Sequence, residues 1–119
     1  MPYAVDERGR PLFLISTMAM HTQNLVDDTR ASLLVTSPGW TGDPLAGERV
    51  TLMGHAGRVP GGERPAGRAL YLERHPGAAE WVDFDDFAFW RLEVRDVYFV
   101  GGFGAMGWVT AADYVAAHP

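Results

Sequence analysis

Four residues able to hydrogen-bond an anion, Ser16, Thr17, His21 and Thr22, fall within one short stretch that follows an apolar run, Leu12 to Ile15. The run reads as a strand, and the polar segment after it can begin as a turn and continue as a helix through His21, Asn24 and Asp28 before a second apolar run, Leu33 to Val35. A helix that starts there leaves its first N–H groups unpaired and adds the positive end of its dipole. Those amides, the hydroxyls and the imidazole would converge on a phosphate-sized anion, with no carboxylate predictably near. Helix capping by Ser16 or Thr17, with His21 facing water, accounts for the same residue types without a ligand.

Other chemistries have weaker support. The histidines, at 21, 55, 75 and 118, form no H-x-x-H or H-E-x-x-H motif, and the serines lie in no G-x-S-x-G context. Asp83, Asp85 and Asp86 could bind a hard cation but suit a solvated turn better, since no other acidic group is predictably near. Cysteine is absent, which removes disulfides, thiolate metal sites and thiol nucleophiles. All 10 basic residues are arginines, so neither a Schiff base nor a P-loop lysine is available. With no acid–base dyad in sight, an enzymatic role would rest on a bound cofactor.

The chain of 119 residues suits one domain, and 47% hydrophobic residues is ordinary for a globular protein. A net charge of −5 with dispersed arginines is the wrong footprint for nucleic acid. No apolar run approaches the roughly 20 residues that cross a bilayer, and the first residues lack a signal peptide's pattern. A cytoplasmic protein without membrane contact is the expectation.

The elements that would position the anion site follow in order. Tyr3 to Val5 and Pro11 to Ser16 form a hairpin across Asp6 to Arg10. A strand at Arg30 to Thr36 leads into a long loop, Ser37 to Gly47, in which Trp40 is either a lid over a ligand or, the favoured reading, an anchor to the body. Arg49 to Val59 is a strand whose Gly54, Ala56 and Gly57 suit a bend or bulge, with His55 outward. Glu63 to His75 is a helix with Pro65 in its first turn and Pro76 after its end; its inward stripe is Ala66, Leu70 and Ala69 or Glu73, leaving Tyr71 and Leu72 near the edges. Ala78 to Val82 is a small helix or turn. Phe87 to Val94 and Asp96 to Val100 are strands broken between Glu93 and Asp96. Gly101, Gly102 and Gly104 make a break that serves a hairpin or, less favoured, lets backbone approach a ligand; Trp108 and Val109 resume the sheet, and Thr110 caps a closing helix, Ala111 to Ala117. Several strands are apolar over whole runs, which demands cover on both faces. A small barrel's lumen covers one and a partner subunit the other, so a homodimer burying more than about 1,000 Å² is expected.

The succession S-T-M-A-M-H-T-Q-N-L-V-D-D, R-A-S-L-L-V, D-P-L-A-G, R-V-T-L-M-G-H-A-G-R-V, D-F-D-D-F-A-F-W-R-L-E and V-G-G-F-G resembles the pyridoxamine 5′-phosphate oxidase-like flavoproteins, and within them the haem-utilisation branch related to HugZ. The resemblance covers nearly the whole chain. It implies a mainly β split barrel of Greek-key type, with about six antiparallel strands and flanking helices, forming a homodimer that holds FMN between subunits. By position, Ser16, Thr17, Met20, His21 and Thr22 fall where the oxidases bind the FMN phosphate, and Arg49 where they place a glutamine near the flavin ring. Ala19, Met20 and His21 replace the oxidases' S-R-K triplet, so its fixed positive charge is gone and phosphate affinity should be weaker. Relative to the family the chain is also short at its N-terminus and lacks the further C-terminal domain that the haem branch often carries. Three functions follow as expectations: a flavin-dependent oxidoreductase of unknown substrate, a haem-binding or haem-degrading protein, or a non-enzymatic dimeric module whose cofactor site has decayed.

Overall fold

The structure, a computed structural model, describes residues 2–36, 48–101 and 106–116, without the side chain of His21. The expected loop with Trp40, Gly102 and Gly104 of the expected hairpin, and His118 lie outside the described residues. The elements run β1 (Ala4–Val5), β2 (Pro11–Ser16), α1 (Met20–Asp27), β3 (Arg30–Thr36), β4 (Glu48–Arg58), α2 (Arg64–Arg74), β5 (Phe87–Gly101), β6 (Met106–Thr110) and α3 (Ala111–Ala116). Short 3-10 turns at Gly61–Glu63 and Pro76–Glu80 flank α2.

The strands make one antiparallel sheet in the order β1-β2-β5-β4-β3, with β6 also beside β5. β3, β4 and β5 are neighbours in sequence and in space, whereas the connection carrying α1 takes the chain from β2, beside β5, to β3 at the far side; this is a Greek key. No pairing among the described residues closes the sheet, so the barrel is split.

β5 is one strand of 15 residues rather than two. Glu93 and Arg95 do not interrupt it because they point to solvent, and a bulge absorbs the extra residue: Met53 pairs with Asp96 and Gly54 with Val94, leaving Arg95 unopposed. Gly54 is required there, since a Cβ would overlap the Glu93 carbonyl oxygen.

Both faces of the β2–β5 region are covered, as the apolar runs demand. On one, Leu12, Leu14 and Phe89 pack against α2 through Tyr71, with Ala78 and Val82. On the other, Ile15, Ala56, Ala88 and Trp90 form a cluster that Leu25 of α1 joins, and Leu52, Leu92 and Val97 extend it along the sheet. Here α2 supplies cover that the sequence assigned to a partner subunit. It is rotated from its expected stripe: Ala66 and Ala69 are exposed and Tyr71 is buried, because the large ring fills the gap over Phe89 at a 5.7 Å centroid separation. The ends of the chain meet where the Tyr114 hydroxyl donates to the carbonyl of Gly9, whose φ of 75° turns the first hairpin. Thr110 caps α3 as its sequence suggested, accepting the Asp113 N–H at 3.1 Å.

Candidate functional site: a cleft under the first helix

The start of α1 differs from the arrangement expected of its hydroxyls. Its N-cap is Ala19, in extended conformation and without any side-chain acceptor. Ser16 and Thr17 lie too early to cap, because the chain first makes a side-chain turn in which Ser16 Oγ accepts the Met18 N–H at 3.2 Å. Ser16 Oγ also donates to Asp86 Oδ2 at 3.4 Å, and the Thr17 N–H donates to the Asp86 carbonyl at 2.6 Å. A carboxylate therefore stands beside Ser16, where none was expected. Thr22 is buried and its hydroxyl donates to the Ser16 carbonyl at 2.6 Å, so its proton is already committed. Met20 points to solvent, 70% exposed.

Thr17 and Thr22 nevertheless line one cleft of about 400 Å³, together with Gln23, Val26 and Asp27 of α1, Arg58 of β4 and Trp90 of β5. Cross-strand pairing sets Arg58 opposite Trp90, and Trp90 opposite Phe13. Trp90 is 4% exposed, and its Nε1 is buried without an acceptor among the described residues. Arg58 is exposed, with no described carboxylate within salt-bridge reach. The guanidinium that sequence reasoning missed stands more than thirty residues along the chain from α1; a cation ending a strand with no acidic neighbour was the available signal.

α1 turns another face, through Asn24 and Leu25, to an apolar cavity of about 330 Å³ walled by Phe13, Ile15, Leu33 and Leu92. Arg49 stands elsewhere. It lies nine residues before Arg58 on β4, about 30 Å along the strand, and lines a separate cleft of about 410 Å³ with Val35, Phe99 and Tyr114. Within one chain, Arg49 and the residues at the start of α1 thus belong to different clefts.

The carboxylates with displaced ionisation belong to structural pairs outside the polar cleft. Hydrogen bonds from the Arg30 side chain and backbone hold Asp28 at about 2, and hydrogen bonds from Arg91 and Arg68 hold Glu63 and Asp83 below their usual ranges. His75 Nε2 lies 2.7 Å from the Tyr3 carbonyl and His55 Nδ1 2.8 Å from the Thr29 hydroxyl, so both rings are engaged away from the clefts. Among the described residues no cluster of three or more histidines and carboxylates is placed to hold a metal ion, and no helix is long and apolar enough to cross a membrane.

The haem-binding protein from Mycobacterium smegmatis superposes with a TM-score of 0.88 at 41% identity, over 96% of this chain and 47% of that one. The haem oxygenase HOZ of Arabidopsis thaliana, described as chloroplastic, is 39% identical over 102 residues, which is 84% of this chain. The chain spans only 30% of HOZ and about half of the mycobacterial protein. HutZ from Vibrio cholerae, described as a haem storage protein, shares the fold at a TM-score of 0.70 and 20% identity, over 92% of this chain and 72% of that one. The model of the CREG β-barrel family matches residues 1–116, and the chain belongs to that family, within the superfamily of FMN-binding split barrels.

Proposed function

We propose that this protein binds haem. The observation that carries the reading is the pair of relatives near 40% identity, both described by their haem chemistry and both aligned over most of this chain. The site's chemistry is compatible with such a ligand: a haem has an apolar macrocycle and an acidic edge, and α1 stands between an apolar cavity and a cleft whose guanidinium has no carboxylate partner and whose indole N–H has no acceptor among the described residues. Phe13, Ile15, Leu25 and Leu33 would contact the macrocycle, while Arg58 and Trp90 would meet the acid groups. Bound haem supplies iron-centred redox chemistry; the chain's own residues orient it and exclude water.

A homodimer is part of the reading. Leu34, Thr51, Tyr98 and Trp108 form one row across β3, β4, β5 and β6, in which Leu34 and Trp108 are more than half exposed. Such a face calls for cover of the size a specific interface provides.

A flavin is the second reading, favoured by the uncapped start of α1 and the nearby Arg58, which could together receive a phosphate. The test is the visible spectrum of purified protein titrated with haemin and, separately, with FMN. A saturable Soret band supports the first reading and a perturbed two-banded flavin envelope the second. Neither change would leave a non-enzymatic module. Loss of the Soret band under air with a reductant would extend haem binding to haem degradation.

A further inference from the structure

We infer that the cleft between α1 and the ends of β4 and β5 receives a singly charged carboxylate arm of the ligand, held by the Arg58 guanidinium and the Trp90 indole N–H. This rests on the reading of the protein as one that binds an acidic cofactor, and it names the part of the ligand that this cleft takes.

A buried donor without an acceptor forfeits the hydrogen bond it made to water, and nearly all such groups in folded proteins have a partner. Trp90 is held in place by Ile15, Ala56 and Ala88. Turning the ring to find an acceptor would break that packing, so an acceptor brought into the cleft is the less costly remedy. Arg58, opposite Trp90 on the neighbouring strand, supplies the charge that draws an oxyanion there. The Thr17 hydroxyl is a third donor on the same wall.

The count of charges then selects among oxyanions. Asp27 lines the same cleft, and Asp86, outside its lining, holds Ser16 and the backbone of Thr17. Among the described side chains Arg58 and Asp27 bring one charge of each sign to the cleft without pairing, so it is near neutral, and the second carboxylate disfavours added negative charge. A monoanion gains the guanidinium and indole hydrogen bonds without the repulsion that a phosphate dianion would meet. The cleft therefore favours a propionate-type carboxylate over a phosphate monoester.

Haemin and haemin dimethyl ester, which lacks the free acids, test this in Soret titrations of the wild type, Arg58→Gln and Trp90→Phe. The wild type should prefer haemin; Arg58→Gln should weaken haemin about tenfold and leave the ester unchanged. Equal effects of Arg58→Gln on both ligands, or on neither, would overturn the inference. Arg58 is exposed, so the variant should keep the wild-type melting temperature, and its circular dichroism spectrum checks the fold.

If neither haemin nor FMN binds, the cofactor reading fails and the subsite is tested alone with acetate. The Trp90 Nε1–H resonance, assigned through Trp90→Phe, should move downfield saturably with acetate in the wild type but not in Arg58→Gln. It should move less with phosphate at pH 8. An unmoved resonance, or an equal response in Arg58→Gln, would remove the subsite.

Discussion

The two helices that cover the β2–β5 region are built to different standards. α2 has 11 residues, a proline in its first turn, a buried tyrosine set edge-on to Phe89, and Arg64 stacked 5.2 Å from the same ring. Arg68 ties it to Asp83 and His75 ties its end to the Tyr3 carbonyl. α1 has 8 residues, no cap side chain, no acidic residue in its first turn and no basic residue in its last. Its single apolar anchor is the half-buried Leu25, while Val26 is 70% exposed. One helix completes the core; the other leaves donors and cavities beneath it. Segments of low local stability are where binding elements are drawn from, and α1 fits that description.

The sharpest way to break this comparison is to truncate each helix's anchor. Tyr71→Ala should cost about 3–5 kcal/mol and Leu25→Ala about 1–2 kcal/mol, read from urea unfolding; equal losses would make α1 as much a part of the core as α2. Gly54→Ala should cost about 1–3 kcal/mol, because the bulge must move to admit the methyl group; a neutral result would show that β4 and β5 slide freely past each other. Ala19→Ser should raise stability by about 1 kcal/mol and slow amide exchange in α1, since the extended N-cap is already shaped for a hydroxyl acceptor. No gain would mean that the first-turn amides already have partners.

The smallest effect expected is alkaline. Burial pushes the Tyr71 hydroxyl up, and burial with the Asp6 charge does the same to Tyr114. A raised folded pKa gives stability that is intact below the ordinary tyrosine value of about 10 and is lost as pH rises through the folded value. The urea midpoint should therefore fall as pH rises past about 10, and Tyr71→Phe should flatten that fall. A Tyr71→Phe profile identical to the wild type would show that Tyr71 makes no contribution to it.

What could be read from the sequence was local. The strand Arg30–Thr36 emerged whole because its apolar run is sharply bounded, and α2 because two prolines punctuate it. The orientation of α2 was not legible, since helical spacing finds a stripe but not the depth of the gap that Tyr71 fills. The charged run at Glu93 to Asp96 read as a break because pairing to β4, which carries the strand through it, is a property of two distant segments. The strand and helix that meet at the start of α1 were legible, yet the partners of its hydroxyls were not, as Asp86 and the Ser16 carbonyl reach them only after β2 and β5 have paired. Arg58 was missed for the same reason.

The position of β5 also shapes how the chain must fold. Ile15 pairs with Ala88, roughly seventy residues later. During synthesis β2 leaves the ribosome with its apolar faces bare and waits until β5 has emerged. The short hairpin of β1 and β2 and the longer one of β3 and β4 are the early structures available, and β5 must then zip onto β4 before β2 has a place to dock. Long-range pairing of that kind predicts refolding in milliseconds to seconds rather than microseconds. It also makes chains stalled before Phe87 the aggregation-prone species, and a holding chaperone's natural client.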